Sequence, residues 1–353
     1  MQPAPDAFRG LVDAGDVVVE FGQQGAAGVV GSTRLVLPVE TARRLAARLG
    51  DVLVHMAPEA LAEDAPRRGT TPVNAPPDPA AERAALTLRL VGGLGAPRNH
   101  ERSFRVVRGA LMANRFLLSL NADDIPGSPR TRVLEVCERL GMPAALRAQA
   151  EDSFAMASCI HFGFEEGGSG TLAKLYLERA IGEDEKRQAQ ASGAPVLLHL
   201  AFKWSDQGAG VVSRYWLHPG SPPEGMEARL ARLYAGTTAA PSLEIALAVL
   251  RLAVARGTPG GLQYLEVTED GNPRRSFDLN VYDAGLSLKD AQAALFTMRD
   301  RFGVRPGQFQ ALYDQVRDSR FGHLAGGVHR DGADFFNVYY GVSGLPRLVG
   351  GAT

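Results

Sequence analysis

Cysteine is scarce in this chain: Cys137 and Cys159 are the two in 353 residues, with no CxxC and no metal-type spacing. A disulfide framework is therefore not expected, and a reducing, cytoplasmic setting fits. A basic excess is missing too. Thirty-eight Lys and Arg face 39 Asp and Glu, for a formal net charge of −1, which argues against a nucleic-acid partner. No apolar run approaches the roughly 20 residues that span a bilayer. The first ten residues, MQPAPDAFRG, lack the basic and apolar regions of a signal peptide. No membrane partner is expected.

Several catalytic signatures are also absent. There is no GxxxxGK[ST], no HExxH and no GxSxG. Gly92-Gly93-Leu94-Gly95 does not follow a convincing strand, so it is no dinucleotide fingerprint. Asp123-Asp124 runs into Ile-Pro-Gly and reads as a turn rather than DDxxD. Helical isoprenoid enzymes, which hold magnesium diphosphate on aspartate-rich motifs, are thereby disfavoured. No metal-ligand cluster forms by spacing.

What is present is a periodic second half. Residues 1–63 read as a small β-β-α extension, with strands at Val17–Phe21 and Arg34–Leu37. A helix pattern follows from Pro38 through Thr41, Leu45, Leu49 and Leu53. Residues 64–78 are rich in Pro and charge and read as a linker. In 79–353, Asp78 caps a helix with Pro79 at its first position. Five candidate hairpins follow, at about 101–121, 154–178, 196–218, 262–284 and 323–342. Helix pairs are expected at about 129–152, 223–256 and 287–319, and the polar stretch GEDEKRQAQASG leads into the third hairpin.

A polar–x–tyrosine unit recurs four times near the ends of these hairpins: Lys174/Tyr176, Ser213/Tyr215, Asn280/Tyr282 and Asn337/Tyr339. Residues two apart on a strand share a face. Each unit thus sets a polar group beside a phenol. Alternation places Phe277, Leu279 and Val281 outward, with Asp278, Asn280 and Tyr282 inward. Phe336 and Val338 point outward likewise, with Asn337 and Tyr339 inward. The expected fold class is α+β: ten antiparallel strands closed into a barrel, apolar outside under helices and polar within.

Repeated helix–helix–strand–strand units closing a ten-stranded barrel resemble the ABBA (PT barrel) prenyltransferases, most of all those that prenylate cyanobactin-type ribosomal peptides. Glu101 precedes Arg115-Phe116-Leu117-Leu118 with the family's fourteen-residue spacing. Lys174 in TLAKLYLE stands where the family has a lysine, and Tyr339-Tyr340 matches its closing tyrosines. The resemblance covers about 80–342, leaving residues 1–63 as an extension. It implies an isoprenyl diphosphate donor and a peptide acceptor, with magnesium entering through the diphosphate.

Prenyl transfer needs cations for the leaving diphosphate, and the candidates are Arg115, Lys174, Lys203 and Arg214. It needs an electron-rich wall around the allylic cation, for which Tyr176, Tyr215, Tyr282 and Tyr339 are candidates. It is helped by a base, and Glu101 is the candidate. His161, His199 and His329 fall on strands and read as structural residues. A small aromatic acceptor is the close alternative. A non-catalytic barrel binding a hydrophobic ligand or peptide is a second, since two repeated units carry Asn and one carries Ser.

Overall fold

The computed structural model describes residues 7–13, 16–25, 28–38, 78–167, 170–206, 208, 210–258, 260–329 and 331–343. The chain divides into two compact units, Met1–Ala75 and Pro76–Thr353. In the first unit, β1 (Ala7–Asp13), β2 (Asp16–Gly25) and β3 (Gly28–Pro38) form an antiparallel sheet in chain order. The sheet starts one strand before Val17, because Ala7–Asp13 pairs along its whole length with β2. The helix expected from Pro38 and most of the linker lie outside the described residues.

The second unit opens with α1 (Pro79–Gly92), capped as its sequence requires: Asp78 Oδ1 accepts from the Ala80 amide at 3.0 Å. Then come β4 (Asn99–Val107), β5 (Ala110–Met112), β6 (Arg115–Asn121), α2 (Pro129–Arg139) and α3 (Ala144–Ser153). They are followed by β7 (Ala157–Gly167), β8 (Gly170–Arg179) and α4 (Glu183–Ser192). Next are β9 (Val196–Ser205), β10 (Gly210–Leu217), α5 (Pro223–Tyr234) and α6 (Ala240–Arg256). The unit ends with β11 (Gln263–Glu269), β12 (Asn272–Asn280), α7 (Gln292–Phe302), α8 (Pro306–Val316), β13 (Phe321–Val328) and β14 (Asp334–Ser343).

The ten strands β4, β6–β14 are antiparallel neighbours in chain order, and β14 returns to β4 with Tyr339 opposite Ser103. The barrel is closed, so among the described residues the ten long strands are each paired on both sides. The short β5 continues the first hairpin beside β4. All five expected hairpins are present. Helix α4 is the element the sequence reading left as a polar segment. Ala189 is its one buried residue, so it has no apolar stripe to reveal it. It forms on end effects instead: Glu183, Asp184 and Glu185 sit in the first turn and Gly193 closes the end at φ 67°.

Alternation along the strands sorts apolar from polar. Outward side chains of β6–β9, including Leu118, Ile160, Phe162, Leu175 and Phe202, pack against Val91, Val133, Val136 and Leu146 of the first three barrel helices. Outward side chains of β4 and β11–β14, including Phe104, Tyr264, Phe277, Leu279 and Val338, pack against α5–α8. Each such fully buried large residue contributes on the order of 1.5–3 kcal/mol. With the core outside the sheet, the lumen is left to polar residues.

Candidate active site

The inward residues of three adjacent strands follow one order. On β8 they are Lys174, Tyr176 and Glu178. Opposite them on β7 lie Gly163, His161 and Cys159, with Glu165 one step nearer the turn, opposite Leu172. On β9 they are Lys203, Ala201 and His199. Successive inward residues are about 6.6 Å apart along a strand. The lumen is therefore layered: charge at the end carrying the hairpin turns, tyrosine in the middle, and acids with histidines at the end where the helical connections leave.

The charged layer brings together Arg115, Lys174 and Lys203, as the sequence suggested, and adds Arg105 and Arg274. Glu165 takes an ion pair from Arg115 at 2.5 Å and another from Lys174. Glu269 pairs with Arg274 at 3.1 Å and faces Lys203 at 4.0 Å. Arg115 also donates to Asn337 Oδ1 at 3.0 Å, and Lys203 to Ser213 Oγ at 2.9 Å. The guanidinium groups of Arg105 and Arg274 lie over Phe335, at 4.5 and 5.5 Å from its centroid. Burial holds the Lys174 ammonium down at about 8 although Glu165 opposes it, and burial with the nearby Lys174 charge pushes Lys203 well down. Glu165 is held far below the carboxylate range: burial works against its charge, but Arg115 and Lys174 outweigh it.

Five basic side chains face two carboxylates, and burial works against the charge on Lys174 and Lys203, a cost that a bound polyanion would offset. Arg115 Nε, Arg274 Nε and Ser276 Oγ are buried with no partner in the protein. Leaving such groups unmade costs about 1–3 kcal/mol each. A layer of this kind suits a polyanion. Its residues do not fit a resident magnesium ion, because both carboxylates are already engaged by cations.

In the middle layer, Tyr176 and Tyr215 meet with ring centroids 5.6 Å apart, and Lys203 Nζ lies 5.7 Å from the Tyr215 centroid. Tyr339 reaches the same lumen from β14, 5.7 Å from the His323 ring. Gly163 leaves space for Lys174: a Cβ there would lie 3.2 Å from the lysine's own Cβ.

The third layer holds Glu101, a buried residue within β4 rather than in a loop before it. Burial, with the charge of Asp278, raises its pKa, while His323 and the Tyr282 hydroxyl pull the other way. His323 donates or accepts at Asp278 Oδ1, 2.8 Å away. Burial opposes the charge on His323, but Asp278 and Glu101 bring its pKa up to about 9. His161 bonds Ser119 Oγ at 2.7 Å and Glu178 Oε2 at 2.8 Å. His199 and His323 keep side-chain exposures of 19% and 25%.

Two sequence expectations are corrected. Arg214 points outward and pairs with Asp270 at a hairpin turn, because Ser213 and Tyr215 take the inward positions around it. Tyr282 does not join the other tyrosines. The strand ends at Asn280, a 3-10 turn at Tyr282–Ala284 follows, and the phenol turns to Glu101. His329 belongs to the charged layer, 2.6 Å from Arg105 Nη2. Arg105 and Arg274 were missed, yet each keeps the two-residue step from an inward residue, Ser103 and Ser276 respectively. A surface depression of about 320 Å³, lined by Pro223, Glu227 and Arg251 among others, lies on the outer helices and carries no such grouping.

No family model and no curated protein matches the chain. Solved structures do. 5-Dimethylallyltryptophan synthase from Streptomyces coelicolor superposes with a TM-score of 0.50 at 16% identity, over 68% of this chain and 80% of that one. The same synthase in complex with DMASPP and Trp gives 0.50 and 16%, over 71% and 81%. AnaPT from Neosartorya fischeri gives 0.49 and 14%, over 72% and 80%. The likeness to the Streptomyces coelicolor synthase establishes the fold: a closed ten-stranded antiparallel barrel ringed by helices, as in PT-barrel prenyltransferases.

Proposed function

We propose that this chain is a prenyltransferase, moving a dimethylallyl or geranyl group from its diphosphate to a nucleophilic side chain of a ribosomally made peptide. The layering of the lumen carries this reading. Diphosphate fits among Arg105, Arg115, Lys174, Lys203 and Arg274, whose surplus charge grows in value as the leaving group gains negative charge. The isoprenyl chain then lies along Tyr176, Tyr215 and Tyr339, whose ring faces stabilise an allylic cation and exclude water. The acceptor occupies the third layer.

In the transfer, the bond between the isoprenyl C1 and the diphosphate oxygen breaks, and a bond from C1 to the acceptor nucleophile forms. The acceptor's proton passes to Glu101. Burial raises its pKa, which makes the carboxylate a stronger base than an exposed one. Diphosphate leaves with the bonding electrons. Magnesium would have a place here only as part of the donor, where it would offset diphosphate charge, since the layer's own carboxylates are occupied.

The peptide acceptor rests on the sequence resemblance, for the layer itself mixes Glu101, Asp278 and Glu178 with His323 and His161. A small neutral aromatic acceptor is the second reading. Competition between a tyrosine- or tryptophan-containing peptide and the free amino acid tests the choice. Product on the peptide is expected; product on the free amino acid alone would overturn it.

A further inference from the structure

The transfer step assigns no chemical role to a group of side chains that border the acceptor's layer at the helix-connected end of the lumen. We infer that Cys159, His161 and Glu178, with His199 beside them, form a binding site for a divalent transition metal of the zinc class. Cys159 and His161 are successive inward residues of β7, Glu178 lies opposite Cys159 on β8, and His199 lies opposite Glu178 on β9. The sulfur of Cys159, a ring nitrogen of His161 and a carboxylate oxygen of Glu178 all lie within 4.8 Å of one another. Ligands around tetrahedral zinc, at bonds of about 2.0–2.3 Å, sit roughly 3.3–3.8 Å apart. Closing the group takes side-chain movements of about 1 Å on that scale.

The hydrogen bonds around the two rings match the arrangement a metal requires. His161 Nδ1 is held by Ser119 Oγ at 2.7 Å, which leaves Nε2 aimed at Glu178, 2.8 Å away. A ligating histidine has one nitrogen oriented by a neighbour in this way; the other, here bonded to Glu178, would exchange that bond for the metal. His199 supplies the independent observation. Its Nδ1 is buried, has no hydrogen-bond partner in the protein, and lies 3.7 Å from the same Glu178 oxygen. The core set is one thiolate, one imidazole and one carboxylate, with this second imidazole at its rim. That set selects zinc, cobalt or a similar ion over magnesium or calcium, which take oxygen. Binding would release the Cys159 thiol proton, and any proton on His161, to solvent.

Cys159, Glu178 and His199 lie one inward step beyond Tyr176, and His161 lies opposite Tyr176 itself, so the site borders the tyrosine layer on the side away from the diphosphate cations. Metal binding is thus measured without donor or acceptor and stands or falls apart from the transferase reading. The full-length protein, stripped by a chelator and dialysed, is titrated with Co2+ and then Zn2+. One equivalent of cobalt is expected, with the strong visible bands of a four-coordinate ion and a thiolate-to-cobalt charge-transfer band, displaced by one equivalent of zinc. Cys159→Ser should abolish the charge-transfer band and weaken zinc at least about 100-fold with an unchanged circular dichroism spectrum. Glu178→Gln, which keeps the cysteine, should weaken zinc while retaining that band, and serves if Cys159→Ser fails to fold. No binding at micromolar metal, a weak six-coordinate spectrum, or a charge-transfer band that survives Cys159→Ser would overturn the site.

Discussion

The phenol of Tyr282 donates its hydrogen bond to Glu101 Oε1, tying the first barrel strand to a turn 181 residues later in the chain. This contact fixes the position of the one carboxylate that the transfer step uses as a base. It exists because Gly322 has no side chain. A Cβ at that position would lie 2.5 Å from the Tyr282 hydroxyl and 2.6 Å from Glu101 Oε1.

Glu101→Gln keeps the size of the side chain and removes its basicity. Turnover with a saturating acceptor should fall about 10²- to 10⁴-fold, the usual contribution of a positioned base. The dissociation constant of the donor should stay within twofold, because the charged layer is untouched. Steady-state kinetics beside calorimetric donor binding separates the two quantities. Equal turnover would leave Glu101 a structural residue.

Gly322→Ala acts on the same bond from behind. Its methyl displaces the Tyr282–Glu101 pair and should lower turnover by one to two orders of magnitude, as small misplacements of catalytic groups do. The thermal midpoint should change little, since the added atom meets the ends of two side chains. A variant as active as the parent would show that the placement of Glu101 does not matter.

Arginines 214 and 274 form a matched pair for testing which way the strands face. Arg274→Ala removes a lumen cation and leaves Glu269 with one partner fewer. It should weaken donor binding at least tenfold. Arg214→Ala removes an exposed pair with Asp270, worth about 0–1 kcal/mol at most, and should leave donor binding unchanged. Reversed results would mean that the inward and outward faces have been exchanged.

Lys174 sets a pH limit. Burial brings its ammonium down to about 8 in the free protein. The anionic donor binds the protonated form, so affinity should hold below pH 7 and fall as pH rises through 8. Donor binding should therefore take up protons near pH 8, read from calorimetric heats in buffers of different ionisation enthalpy. Affinity that keeps rising from pH 7 to 9 would contradict the assignment.

Much of this was legible in the sequence because the barrel is an alternating structure. Phe277, Leu279 and Val281 against Asp278 and Asn280, and Phe336 and Val338 against Asn337 and Tyr339, gave face and register together. All five hairpins fell where Gly-rich turns interrupt alternating strands. The same rule, applied to β4 from Glu101 through Ser103, reaches Arg105, and applied to β12 back from Asp278 reaches Arg274. These two cations were readable but not read. Tyr282 was different. Its position depends on the chain leaving the strand after Asn280, whose Oδ1 accepts from the Tyr282 amide at 3.1 Å, and no periodicity announces that. The grouping of Cys159, His161, Glu178 and His199 was hidden for another reason. Its members come from three strands, and only strand pairing brings them opposite one another.

Donor binding tests the central claim most directly. The parent protein and Lys174→Ala are titrated calorimetrically with dimethylallyl and geranyl thiolodiphosphates, with magnesium and with a chelator. Micromolar binding of one of them by the parent, weakened at least tenfold in Lys174→Ala, is the predicted result, and it selects the chain length. No binding of either by the parent, or equal binding by the variant, would contradict the reading of the charged layer as a diphosphate site.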